Sequence, residues 1–226
     1  MGDVTALLEA RDLTAILPGD AGDVRVLDGI ELGVFAGEIV DVVGPSGSGK
    51  STLLRAIARL LPGATGTLLL DGSPAEHFTP PAWRRAVALL PQKPVVVDGT
   101  VRDNLVLSWR FGVRRQQPMP DDASLAEGLA RLGVDAALDR DGSRLSVGQV
   151  ARIAFLRTLL GKPRVLLLDE PDAALDDASA DAVAAMTAQF ANAAGAVVRV
   201  RHHRPDGIAS RRLRLANGSL VAEEVA

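Results

Sequence analysis

The 226-residue chain has no cysteine and no tyrosine, and aromatic residues make up only 3% of it. Without thiols it forms neither disulfides nor thiolate metal sites, a composition suited to the cytosol. Scarce aromatics remove the stacking platforms on which single-stranded nucleic acids are held. Excess positive charge is also missing. Twenty-five Lys and Arg stand against 28 Asp and Glu, a net charge of −3, so there is no global basic field for nucleic acid. Long apolar runs are absent too. Stretches such as Val165–Leu168 fall far short of the ~20 residues that span a bilayer. The opening MGDVTALLEARDL carries acidic residues and no unbroken apolar stretch, so it is not read as a secretory signal. Work at a membrane would go through a partner. What is present is 47% hydrophobic residues, over a length that suits one domain, or a core with a subdomain.

No internal repeat is visible. Residues 7–43 alternate short apolar stretches with turns at Pro18-Gly19-Asp20, Asp28-Gly29 and Ala36-Gly37, which predicts strands. Thr67–Leu70, Val87–Leu90, Val165–Leu168 and Ala196–Arg201 read as further strands, and Leu213–Val225 as a closing turn and strand. Helices are expected after Lys50, with Leu53, Leu54, Ile57, Leu60 and Leu61 at helical spacing, around Leu125, Leu129 and Leu132, from Ser146 to Leu160, and over the Ala-rich stretch 173–194. Strands alternating with helices predict an α/β fold with a mostly parallel sheet. The stretch 93–145 reads as a helical insertion into a core made of 1–92 and 146–226, all within one domain.

Gly44-Pro45-Ser46-Gly47-Ser48-Gly49-Lys50-Ser51, followed by Thr52, fits G-x-x-x-x-G-K-[ST] and sits between the apolar run Ile39–Val43 and a helix. Glycines allow backbone N–H groups to turn toward phosphate oxygens, and the helix N-terminus adds positive potential. Lys50 is placed to reach the β- and γ-phosphates of a nucleoside triphosphate, and Ser51 to ligate Mg²⁺. A chance match in a Gly-rich loop would lack the flanking strand and helix.

Asp169 and Glu170 end a buried strand, at the sheet edge where α/β proteins hold ligands. In that place Asp169 would hold Mg²⁺ and Glu170 would polarise the water that attacks the γ-phosphate. An exposed acidic turn is the plain alternative. Leu145-Ser146-Val147-Gly148-Gln149 contains a capping box, Ser146 with Gln149, that opens the next helix. Such an N-terminus is an anion site. One phosphate loop needs no second anion site for the same phosphate, so the economical arrangement is a head-to-tail pair of chains, each Ser146 end closing over its partner's ATP.

On these motifs the chain resembles the ATP-binding subunits of ABC transporters over nearly its whole length. The resemblance implies a P-loop ATPase core with an N-terminal antiparallel β part and an inserted helical subdomain. It implies that Leu145–Gln149 is the family signature, Ala173–Asp176 its D-loop, Gln92 a contact to Mg²⁺ that senses the permease, and His202 a γ-phosphate contact. It also implies ATP and Mg²⁺ as ligands, a membrane permease and a second copy of the chain as partners, no nucleic acid, and a location on the cytoplasmic face of the membrane. Within the family, Pro91–Pro94, Gly99–Leu105, Trp109 and Arg114–Pro118 are similar to the FetA-type branch, which implies iron export. Other short subunits serve lipid, lipoprotein or peptide cargo, and some ABC ATPases serve no transporter. A small-molecule P-loop kinase would leave Leu145–Gln149 unexplained.

Two departures matter. Val147 replaces the first signature glycine and requires negative φ there. The adenine-stacking aromatic expected near residues 15–17 is replaced by Ala15, Ile16 and Leu17, which predicts weak discrimination of ATP from GTP. Asp41 and Arg199 also fall on strands expected to be buried. Either they pair across neighbouring strands or they reach water at a sheet face.

Overall fold

Two sheets, one antiparallel and one mostly parallel, are packed with helices around them. The structure is a computed structural model that describes residues 5–19, 22–111, 117–201 and 206–223. In chain order the strands and α-helices are β1 (Leu8–Leu17), β2 (Val24–Val34), β3 (Ile39–Val43), α1 (Lys50–Ile57), β4 (Thr65–Leu70), β5 (Ser73–Pro74), α2 (Pro80–Ala86) and β6 (Val87–Leu90). They continue with α3 (Val101–Leu105), α4 (Asp122–Arg131), α5 (Val147–Leu160), β7 (Val165–Asp169), α6 (Asp177–Asn192), β8 (Ala196–Val200), β9 (Arg211–Ala216) and β10 (Ser219–Glu223). The antiparallel sheet has the order β2-β1-β4-β5 and the larger sheet β10-β9-β3-β8-β7-β6. In the larger sheet β9, β3, β8, β7 and β6 pair in parallel. Every residue of β3, β7 and β8 is buried, as in a sheet covered on both faces.

Alternation along these strands builds two apolar clusters. Val40, Val42, Leu167, Val198 and Val200 face α1, the antiparallel sheet and Trp83. Ile39, Leu166, Leu168 and Val197 face α5, α6 and the 93–145 stretch. That stretch contains α3 and α4 and no strand among its described residues. Its Val101, Leu105, Leu125, Leu129 and Leu132 join Ile153, Phe155 and Leu156 of α5 in the second cluster. Thr100 and Asp103 form a capping box at α3. Asn104, fully buried, accepts from Val97 N–H and donates to the Val97 and Thr100 carbonyls. The Gly99–Leu105 run therefore has a structural explanation that says nothing of cargo. Arg114–Gln116 lie outside the described residues.

Three expectations change. The helix after the phosphate loop ends at Ile57 rather than continuing through Leu60, because Arg59 takes φ 54 and turns the chain, leaving Leu60 exposed. The Ala-rich helix starts at Asp177, not Ala173, since Asp176 accepts from Ser179 N–H and sets the start. The closing segment is a hairpin of two strands, β9 and β10. Its turn is Asn217-Gly218, both at positive φ, the pair that a two-residue hairpin turn favours.

Candidate functional site

β3 delivers the chain to the phosphate loop, and two glycines there are steric necessities. Gly44 has φ 151, and a Cβ on it would lie 2.3 Å from the Leu215 carbonyl oxygen. Gly49 has φ 99, and a Cβ would lie 2.6 Å from Val26 Cγ1. Gly49 is the N-cap of α1 and has no side chain to cover the helix's first N–H groups, which leaves them for an anion. Lys50 is buried, and its Nζ donates to the Gly44 and Pro45 carbonyls at 2.9 and 2.8 Å. Burial lowers its pKa, against the opposing pull of Glu170 and Asp169. Ser48 Oγ is buried without a hydrogen-bond partner.

The loop borders a cleft of about 340 Å³ lined by Ser46, Gly47, Gly49, Lys50, Ser51 and Thr52, together with Gln92, Glu170, Leu17 and Val26. Ser51 Oγ donates to Asp169 Oδ1 at 3.1 Å. Burial pushes the Asp169 carboxyl up, the Ser51 bond opposes this, and the neighbouring Glu170 charge adds to it. Glu170 itself takes φ 50, and its N–H donates to the Val200 carbonyl at 3.0 Å. One hydroxyl beside one carboxylate is a hard-oxygen donor pair. Among the described residues no three His, Cys, Asp or Glu side chains cluster to hold a metal. The donors present fit Mg²⁺, which uses one or two protein oxygens and takes the rest from phosphate and water.

Ser146 and Gln149 form the expected capping box. Gln149 N–H donates to Ser146 Oγ at 3.2 Å, and Ser146 N–H to Gln149 Oε1 at 3.0 Å. Val147 opens α5, is not among the residues at positive φ, and is 74% exposed. Ser146, Gly148 and Gln149 do not line the phosphate cleft. Val147 lines an adjoining cleft that shares Gln92 and Glu170 with it. Asp176 caps α6 and is also outside the phosphate cleft; the Ser179 N–H holds its carboxyl below the usual range. His202 lies outside the described residues.

Asp41 and Arg199 are register partners on β3 and β8. Arg199 donates through Nε and Nη2 to both Asp41 oxygens, at 2.7 and 3.0 Å, with each side chain no more than 3% exposed. The alternative in which either charge reaches water is thereby excluded. Sequence reasoning missed the rest of the network. Arg199 also grips both oxygens of Asp206, at 2.9 and 3.1 Å. Arg201 Nη1 sits 2.7 Å from Asp206, an ion pair without hydrogen-bond alignment. Arg201 Nε and Nη2 donate to Asp172 Oδ2 at 3.2 and 2.6 Å. The available signal was the second arginine, two residues after the first and just past the end of a buried strand.

The pattern described as ABC transporter matches residues 27–173. "Protein STAR1" of Oryza sativa subsp. japonica is 47% identical over 156 residues, 69% of this chain and 44% of that protein. "Hemin import ATP-binding protein HmuV" of Nocardia farcinica is 40% identical over 203 residues, 89% of this chain and 70% of its own length. "Probable iron export ATP-binding protein FetA" of Escherichia coli K12 is 39% identical over 160 residues, 70% of this chain and 69% of its own length. Near-equal identity to proteins named for opposite directions does not single out the iron-export branch. The solved "Structure of ATP binding subunit of ABC transporter" superposes with a TM-score of 0.80, covering 95% of this chain and 88% of that one at 22% identity. At that identity it establishes the P-loop α/β fold alone. The chain belongs to the ABC transporter family, as an ATP-binding domain.

Proposed function

We propose that two copies of this chain hydrolyse ATP at two shared sites and so drive a separate membrane permease. The observation that carries this reading is a site in halves. The phosphate loop and Glu170 share one cleft, with Asp169 bonded to Ser51 beside it, while the capped α5 N-terminus lies outside it with Val147 exposed. Ser146, Gly148 and Gln149 then complete the partner's site, with Asp176 near the same junction. In each half-site Gly44, Ser46, Gly47, Ser48, Gly49 and Thr52 cradle the phosphates, and Lys50 offsets β/γ charge. Ser51, Asp169 and Gln92 would hold Mg²⁺, which supplies charge neutralisation at the β- and γ-oxygens. Glu170 orients and polarises the attacking water, and His202 contacts the γ-phosphate. Positioning and electrostatics carry the catalysis.

The base would lie against Leu17 and Val26, since Ala15 is buried in the core and Ile16 is not among the residues lining the cleft. An aliphatic seat offers no π-face to select adenine. Competition of ATP and GTP for a fluorescent nucleotide should give affinities within about ten-fold, a gap of roughly 1.4 kcal/mol; a much larger preference would reject the aliphatic seat as the base contact.

No helix among the described residues is long and apolar enough to cross a membrane. A groove of about 580 Å³ between α2, α5 and the 107–111 stretch, with exposed Leu60 and Phe111, supports docking on a permease. That docking would place the chain on the cytoplasmic face. A relative named for both parts, "Mycobactin import ATP-binding/permease protein IrtB", 28% of which aligns, also supports this. For cargo we take iron export as the first reading to test, on the likeness to FetA. The experiment is recovery of tagged Glu170→Gln chain, with ATP, from detergent-solubilised membranes of its own cell. One multi-span protein is expected, and its identity decides the cargo to assay. Soluble partners alone, with ATP-dependent dimerisation intact, would point instead to a non-transport ATPase.

A further inference from the structure

Glu170 stands in the left-handed region at φ 50, where a side chain costs energy and persists only if its surroundings hold it. One restraint is its own N–H, bonded to the Val200 carbonyl. The second acts two residues on. Asp172, whose side chain is 9% exposed, is held by Arg201 Nε and Nη2. Arg201 is itself anchored: its N–H donates to the Val42 carbonyl at 3.3 Å, and its guanidinium abuts Asp206, which Arg199 grips. The turn carrying Glu170 is thus tied by main chain and side chain to the end of β8, and from there to β3, which feeds the phosphate loop.

We propose that Arg201 is a positioning residue for Glu170, acting through Asp172. The pair fixes the distance between the carboxylate that polarises water and the loop that holds the phosphates. This rests on the role given above to Glu170. Isosteric loss of the Asp172 charge frees the turn without touching the phosphate loop, so turnover falls while ATP affinity stays.

The test compares the full chain with Asp172→Asn, Asp172→Glu and the double variant Asp172→Leu/Arg201→Leu, with Glu170→Gln as the reference for lost chemistry. Steady-state kcat, KM for ATP and thermal midpoint are measured, with rates taken well below every midpoint. Asp172→Asn should lower kcat about ten-fold or more and leave KM within about two-fold. Asp172→Glu, which keeps the charge, should recover most of the rate. The leucine pair should regain thermal stability without regaining kcat. A wild-type rate in Asp172→Asn, or a kcat that tracks the thermal midpoint through the series, would overturn the clamp and leave Glu170 standing. Full turnover in Glu170→Gln would remove the Glu170 role and the clamp with it.

Discussion

Glu170→Gln lowers steady-state phosphate release by about 10²-fold or more and leaves ATP binding in place. Glutamine keeps the shape of the side chain and loses the charge that polarises water. Lys50, Ser51 and the glycine loop are untouched, because they approach the cleft from α1 and β3 while Glu170 approaches from the end of β7. With hydrolysis blocked, two ATP molecules should hold two chains together, and gel filtration with ATP should reveal a dimer that ADP does not support. Phosphate release at the wild-type rate would refute the role of Glu170. Loss of hydrolysis with a chain that stays monomeric in ATP would instead refute the shared site.

Arg199→Val destabilises the fold by about 3–5 kcal/mol. Its guanidinium serves Asp41 and Asp206 together, with 2% of the side chain exposed, so its removal strands the Asp41 carboxylate and leaves Asp206 with Arg201. Asp41→Leu costs less, because Arg199 keeps Asp206. Burial pushes the Asp41 carboxyl up even though the Arg199 bond pulls it down. The pair thus carries a desolvation cost that apolar side chains would not. Asp41→Leu/Arg199→Val should therefore be more stable than the sum of the single losses implies, with Asp206 still beside Arg201. Urea unfolding of the three variants measures this. Losses that add within about 0.5 kcal/mol would show that the two residues are not coupled.

Much of the site is legible in order along the chain because its signals are local. The phosphate loop is eight consecutive residues, Gly44–Ser51, whose glycines answer to backbone geometry at each position. The Ser146–Gln149 box is a bond between residues three apart, and Asp169-Glu170 are neighbours at a strand end. The parallel sheet follows from apolar runs separated by helical spacing. Even the Asp41–Arg199 bond, across 158 residues, is within reach, since two charges on buried strands need each other.

What the sequence leaves undecided depends on packing. Which of Ala15, Ile16 and Leu17 meets a nucleotide depends on the face that β1 turns to the core, and its pairing with β2 carries register shifts in that region. Helix ends were misplaced where a single residue, Arg59 or Asp176, overrides favourable composition on either side. Arg201 signals only that a charge beside a buried strand needs a partner; nothing local points to Asp172 or Asp206, because their meeting requires β7, β8 and the chain after β8 to reach one edge together. The left-handed turn at Glu170 is likewise invisible in sequence: a glutamate adopts it only because the end of β8 holds it there.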